Sequence, residues 1–262
     1  MTLNMPRIAA VVLACAVLPS GALAQTAGPW RPIFDGKTLD GWTAKIARHP
    51  VGENWHDTFI VKDGAIRVSY AGYDKFDLQF GHLFYKTSFK AYRLRLNYRV
   101  LEPALPDTPS WAQSNSGVMF HSQSPQSMEL NQSFPVSVEF QLLGAPRATG
   151  AVCTPGVSVT IGGKRQAEHC IPSTGPIIPN GTWTKLELEV LPNGQVTEKI
   201  NGAVVHRYAD IELDPADPMA AADAKRLIAE RGGALAVKEG YIALQSEGHP
   251  FEFKDIEVQE LK

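Results

Sequence analysis

Two neighbouring stretches alternate apolar and polar residues at the two-residue period of a β-strand, which sends successive side chains to opposite faces. In Phe134-Pro-Val-Ser-Val-Glu-Phe-Gln-Leu-Leu143, Val136, Val138, Phe140 and Leu142 take one parity, while Ser137, Glu139 and Gln141 take the other. In Asn115-Ser-Gly-Val-Met-Phe-His121, Asn115, Gly117, Met119 and His121 share a parity, and Val118 and Phe120 take the other. Each stretch predicts a strand with one greasy and one polar face, and the two polar faces are expected to line one groove. Tyr92–Val100 alternates most cleanly, with Leu94, Leu96, Tyr98 and Val100 set against Arg93, Arg95, Asn97 and Arg99.

The same reading extends along the chain. Strands over 58–62 and 65–70 join at Asp63-Gly64, those over 183–191 and 196–200 at Pro192-Asn-Gly-Gln195, and the latter meets 203–208 at Asn201-Gly202, all hairpin signals. Further strands are expected at 82–85, 240–246 and 251–261. Residues 148–173 read as an irregular excursion. Asp217-Pro218 reads as an N-cap with proline at the first helical position, opening a helix from Met219 to about Arg231 that Gly232-Gly233 ends. Many short strands and one helix predict an all-β domain of two stacked antiparallel sheets.

The N-terminus is set apart. Arg7, the apolar run Ile8 to Leu18, and Ala22-Leu23-Ala24 before Gln25 have the form of a signal peptide over 1–24. Val12-Leu-Ala-Cys15 is a weaker lipoprotein signal. Residues 25–262, about 240 in all, suit a single domain in the periplasm or secreted. Loss of Cys15 leaves Cys153 and Cys170, an even pair that reads as a disulfide in an exported chain. The formal net charge of −2 is too small to steer the chain to nucleic acid, and no stretch after the leader is apolar enough to span a membrane. No Walker A loop, Rossmann fingerprint or G-x-S-x-G is present, so no nucleotide cofactor and no serine nucleophile is expected.

Four polar faces remain as candidates for chemistry: the arginine strand, Asn115 with His121, Glu139 with Gln141, and Gln245 with Glu247, followed by His249. The arginines read first as a solvated face. Glu139 and Gln141 lie in an aliphatic run, where polar groups need partners. A two-carboxylate glycosidase needs a second acid, which Glu247 could supply across the groove. His121 and His169 are candidate general bases or metal ligands.

Phe34-Asp-Gly-Lys-Thr-Leu-Asp-Gly-Trp42, Val61-Lys-Asp-Gly-Ala65, Phe89 to Arg99, Asn115-Ser-Gly-Val118, Val138-Glu-Phe-Gln141, Gly181-Thr-Trp183, Asn201-Gly202 and Gly240 to Ile256 occur in that order. The set resembles the 3-keto-disaccharide hydrolase family over nearly the whole mature chain. The resemblance implies a concanavalin A-like jelly roll acting on sugars whose C3 hydroxyl has become a ketone. It implies removal of the C2 proton, β-elimination of the C1 substituent and hydration. On that reading His121 or His169 is the base, and Glu139 an acid or metal ligand. Arg95, Asn115, Gln141, Gln245, Glu247 and Trp55 are substrate contacts. One divalent cation such as Ca²⁺ or Mn²⁺, with Glu139 and His121 as ligands, would serve over the enolate oxygen. The competing expectations are a non-catalytic carbohydrate-binding module, with Trp55, Tyr73 and Trp111 as platforms, and an ordinary glycoside hydrolase.

Overall fold

The computed structural model describes Met1 and residues 27–166 and 168–262. The expected leader, with Cys15, falls outside these apart from Met1. Two antiparallel sheets of seven and ten strands stack face to face as a jelly-roll sandwich. In the seven-stranded sheet the order is Cys170–Ile171, Ala151–Cys153, Val138–Leu143, Asn115–Ser122, Tyr241–Ser246, Gly81–Tyr85 and Trp42–Ile46. Tyr92–Val100 is central in the other sheet, between Thr184–Val190 and Phe251–Glu260.

The alternating pattern decides the core. Val118, Phe120, Val138, Phe140 and Leu142 from one sheet meet Leu94, Leu96, Leu186, Leu188 and Phe253 from the other in one buried cluster. Burying each such side chain stabilises by about 1.5–3 kcal/mol. Trp42 closes one edge, its indole N–H donating to the Ile33 carbonyl at 2.9 Å. Asp63 and Gly64 both take positive φ, 51° and 77°, as a two-residue hairpin turn requires.

The excursion over 148–173 is more ordered than its composition suggests. Ala151–Cys153 and Cys170–Ile171 extend the seven-stranded sheet, while Val157–Ile161 and Lys164–Arg165 cross over and extend the other. Cys153 and Cys170 stand opposite each other and are joined by a disulfide. Reductant, or the Cys153→Ser/Cys170→Ser pair, should lower stability by about 3 kcal/mol on the chain-entropy account. For a domain of this size that is a Tm drop of roughly 6–12 °C in a thermal melt. An unchanged Tm would show that the bridge does not constrain the unfolded chain.

The helix is Ala221–Glu230, starting later than the capping signal suggests. Asp217 Oδ2 accepts from the Met219 and Ala220 amides at 3.1 and 2.7 Å, so it caps the turn before the helix. Among the described residues no helix is long and apolar enough to cross a membrane.

Candidate functional site

Strand register decides which side chains share the outer face of the seven-stranded sheet, away from the core. Gln141 stands opposite Gly117, Gln245 opposite His82, and His82 opposite Lys45. Glu139 stands opposite Met119, and Met119 opposite Ala243. Asn115 opens its strand, and Glu247 follows the end of the Tyr241–Ser246 strand. Lys45, His82, Asn115, Glu139, Gln245 and Glu247 are all buried, and Gln141 is half-buried.

Gly117 links these residues. A Cβ placed on it would lie 2.3 Å from Glu139 Oε1, 2.6 Å from its Cγ and 2.8 Å from its Cδ. The Glu139 side chain therefore crosses the Asn115–Ser122 strand through the space that Gly117 leaves open. Its carboxyl reaches toward the next strand, into the influence of the Gln245 amide and the Glu247 carboxyl.

The face is rich in unmet hydrogen-bonding capacity. Asn115 Oδ1, Glu139 Oε1, Glu247 Oε2, both amide atoms of Gln245 and both ring nitrogens of His82 are buried without a partner. Each such group costs about 1–3 kcal/mol. Stability alone does not select seven of them on one face. Ordered water or a polar ligand would supply the missing partners.

Electrostatics point the same way. Burial raises the Glu139 carboxyl well above the usual range, with the Gln245 amide opposing. Glu247 is raised by burial and then by the charge of Glu139, against the pull of Arg147. Two neighbouring buried carboxyls resist ionising together. His82 is pushed down to about 3, by burial and then by Lys45, and stays a neutral imidazole. Lys45 donates its ammonium to the carbonyls of Ile46 at 2.9 Å and Leu130 at 3.0 Å.

Two segments wall the site. Residues 123–136 fold over the sheet, tied by Gln123 Oε1, which accepts from Gln132 Nε2 at 2.8 Å and the Val136 amide at 2.7 Å. Met128 packs on Phe84, Met119 and Ala243, and the Phe134 ring lies 4.6 Å from Phe80 and 6.2 Å from His82. Opposite, Arg147 donates to the carbonyls of Trp111 at 2.8 Å and Gln113. It fixes a loop whose Trp111 ring stacks on Phe80 at 6.0 Å and is 49% exposed.

Four expected site residues lie elsewhere. His121 has the parity of Gly117, but a β-bulge shifts the register between Tyr241 and Ala243 and puts His121 at φ 46°. The imidazole turns off the polar face and stacks on Tyr92 with centroids 6.3 Å apart. It is therefore not placed to serve Glu139 as base or as co-ligand of a metal. His169 is on the disulfide-held excursion, its Nδ1 2.9 Å from Asp217 Oδ1. Arg95 belongs to the other sheet, where its Nε donates to Glu257 at 2.6 Å and its guanidinium lies 4.1 Å from the Trp30 ring centre. It is one rung of an ion-pair ladder with Arg93–Glu189 and Arg99–Glu252. Trp55 stacks on His49 at 4.1 Å and packs against the core between the sheets.

In their place the structure adds His82, Lys45 and Arg147. Gly81-His-Leu-Phe-Tyr85 carries no alternation that would have set His82 apart, and Lys45 and Arg147 have no local signal at all.

The carboxyl pair makes stability depend on pH. Its folded pKa values exceed the unfolded value of about 4.3, so its contribution is full below that pH and is lost as pH rises through the folded values. The buried neutral His82 and His121 act oppositely, weakening the fold as pH falls below their unfolded value of about 6.5. The difference between Glu247→Gln and wild type isolates the carboxyls. The variant's Tm should match wild type below about pH 4 and exceed it increasingly as pH rises toward the folded values. A difference that does not change with pH would show that the Glu247 pKa is not raised by folding.

Residues 29–259 match the 3-keto-alpha-glucoside-1,2-lyase-like domain. No curated protein matches the chain. Two solved structures from Parabacteroides distasonis, both of proposed glycosyl hydrolases, share the fold. One is 17% identical with a TM-score of 0.52, covering 90% of this chain and 94% of its own. The other is 15% identical with a TM-score of 0.51, covering 88% and 99%.

Proposed function

The chain belongs to the 3-keto-alpha-glucoside-1,2-lyase-like domain family, and from that premise we propose that it is an exported enzyme that cleaves 3-keto-glycosides at the Glu139 site. The observation that carries this reading is the Glu139 carboxyl, buried and threaded over Gly117 toward Gln245 and Glu247, with the pKa of both carboxyls raised. Once one of the pair ionises, its carboxylate is a base and its protonated neighbour an acid.

A ketone at C3 acidifies the proton on C2. The ionised carboxyl takes that proton, and its electron pair forms the C1=C2 bond. The C1–O bond breaks, and the leaving oxygen takes the proton of the other carboxyl. Water then adds across C1=C2, so the net change is hydrolysis. Glu139 is assigned as the base because it stands central on the face. Gln245 Nε2, which faces the Glu139 carboxyl, and the Arg147 guanidinium are the groups assigned to stabilise charge on the C3 oxygen. Gln141 and Asn115 are assigned to sugar hydroxyls. The disulfide suits an oxidising compartment and so supports export.

The site chemistry also fits a hard divalent cation, although not with the Glu139–His121 ligand pair. Unpartnered oxygens of Asn115, Glu139, Gln245 and Glu247 lie on one face, which is the donor set such ions take. Among the described residues no three His, Cys, Asp or Glu side chains stand together as a metal cluster, so amide oxygens would complete the set. When bound, the cation would supply Lewis-acid stabilisation of charge on a substrate oxygen.

The same two carboxyls favour a second reading, an ordinary glycosidase. Incubation with a 3-keto-glucoside and with its unoxidised parent, each with and without chelator, separates the two. Release of aglycone from the keto form alone is expected. Cleavage of the parent establishes the glycosidase, and turnover of neither leaves a binding module.

A further inference from the structure

The bulge that removes His121 from the polar face delivers it to a second cavity. This opening of about 350 Å³ lies at the sandwich edge, beside the 190–194 hairpin turn and the 236–238 segment, and shares no lining residue with the Glu139 site. His121 is 4% exposed at its floor, Nδ1 3.4 Å from the Val237 carbonyl and Nε2 buried without a partner. The hydroxyl of Tyr92, on which the imidazole stacks, is likewise buried and unpartnered.

The backbone is shaped to hold this arrangement. His121 takes φ 46° within a strand, a conformation costly for a side chain bearing Cβ. Gly240 packs against it so closely that a Cβ there would sit 2.2 Å from the His121 carbonyl carbon and 2.5 Å from the Ser122 nitrogen. Such strain persists only where surrounding structure imposes it, and it gathers where a side chain must be aimed.

The lining selects the ligand. Leu191, Pro192 and Ile211 form an apolar wall. Around it stand Lys90, Lys238, Asp210 and Glu212, two positive and two negative, none of them in any ion pair among the described residues. With charges balanced, no net field favours an anion or a cation. An apolar molecule would waste the polar rim and the imidazole. A neutral pyranose ring meets both demands, with C–H groups for the wall and hydroxyls for the rim. The volume is near the lower end of the range for small-molecule sites.

We propose that this edge cavity is an accessory binding site for one neutral hexopyranose unit, with His121 Nε2 as its deepest hydrogen-bonding group. The proposal stands independently of the role given to Glu139. It is tested on the full chain by following histidine ring signals in a ¹H–¹⁵N NMR titration with D-glucose. A saturable shift of the His121 signals is expected. It should persist in Glu139→Gln and vanish in Glu212→Ala/Lys238→Ala, a variant that keeps net charge and touches no buried residue. Three results would overturn the proposal: no saturable shift at His121, a shift unchanged in the double variant, or one abolished by Glu139→Gln. Tighter binding of glucuronate than of glucose would overturn the neutral-ring assignment.

Discussion

Glu139→Gln should lower kcat/KM on a 3-keto-glucoside by two to four orders of magnitude while the protein stays folded. Loss of a positioned acid or base typically costs about 10²–10⁴ in rate. The amide is nearly isosteric with the protonated carboxyl, so packing over Gly117 is kept. It cannot accept the C2 proton, and it removes the charge that raises Glu247. The variant should therefore melt no lower than wild type at neutral pH, because one buried ionisable group is gone. Steady-state assays beside thermal melts check both halves. Full activity in the variant would remove Glu139 from the chemistry.

Gly117→Ala should cost activity without costing the fold. The added methyl group would overlap three atoms of the Glu139 side chain, the nearest at 2.3 Å, and no backbone is among the three nearest atoms. The Glu139 side chain must swing out of a buried, packed position, a cost that the roughly 0.5–1 kcal/mol of backbone entropy regained by alanine over glycine in a strand interior partly offsets. Tm should stay within a few degrees. The displaced carboxylate should nevertheless lose about 100-fold in kcat/KM, the loss that a misplacement of about 1 Å can bring. The pH-dependent gap between wild type and Glu247→Gln should also narrow in this variant, since the two carboxyls part and burial alone still raises Glu247. Unchanged kinetics would mean that Glu139 need not lie over Gly117.

Much of the fold was legible because alternation is local. Tyr92–Val100 shows its two faces in nine letters, and Asp63-Gly64 announces its turn. Alternation does not reveal which sheet a strand joins, so the arginine parity of Tyr92–Val100 cannot show that Arg95 faces outward from the other sheet. Parity is also counted on the assumption of an unbroken ladder. Nothing in Met119-Phe-His121 signals the bulge that turns His121 away. Glu139 and Gln141 were recoverable from one strand, and Gln245 and Glu247 from another. His82 and Lys45 join them only through pairing of strands far apart in sequence. The glycine of Asn115-Ser-Gly-Val118 carried a signal whose meaning is visible only in three dimensions: it leaves room for a neighbour's carboxylate.

Removal of the C2 proton of a 3-keto sugar by Glu139 leaves a direct trace. Its most direct measurement is exchange at C2, followed by NMR in D₂O with a 3-keto-glucoside and catalytic amounts of protein. Wild type should introduce solvent deuterium at C2, in recovered substrate or in hydrated product, and Glu139→Gln should reduce this to the uncatalysed rate. Cleavage by wild type with C2 keeping its proton throughout, or undiminished exchange in the variant, would contradict the account.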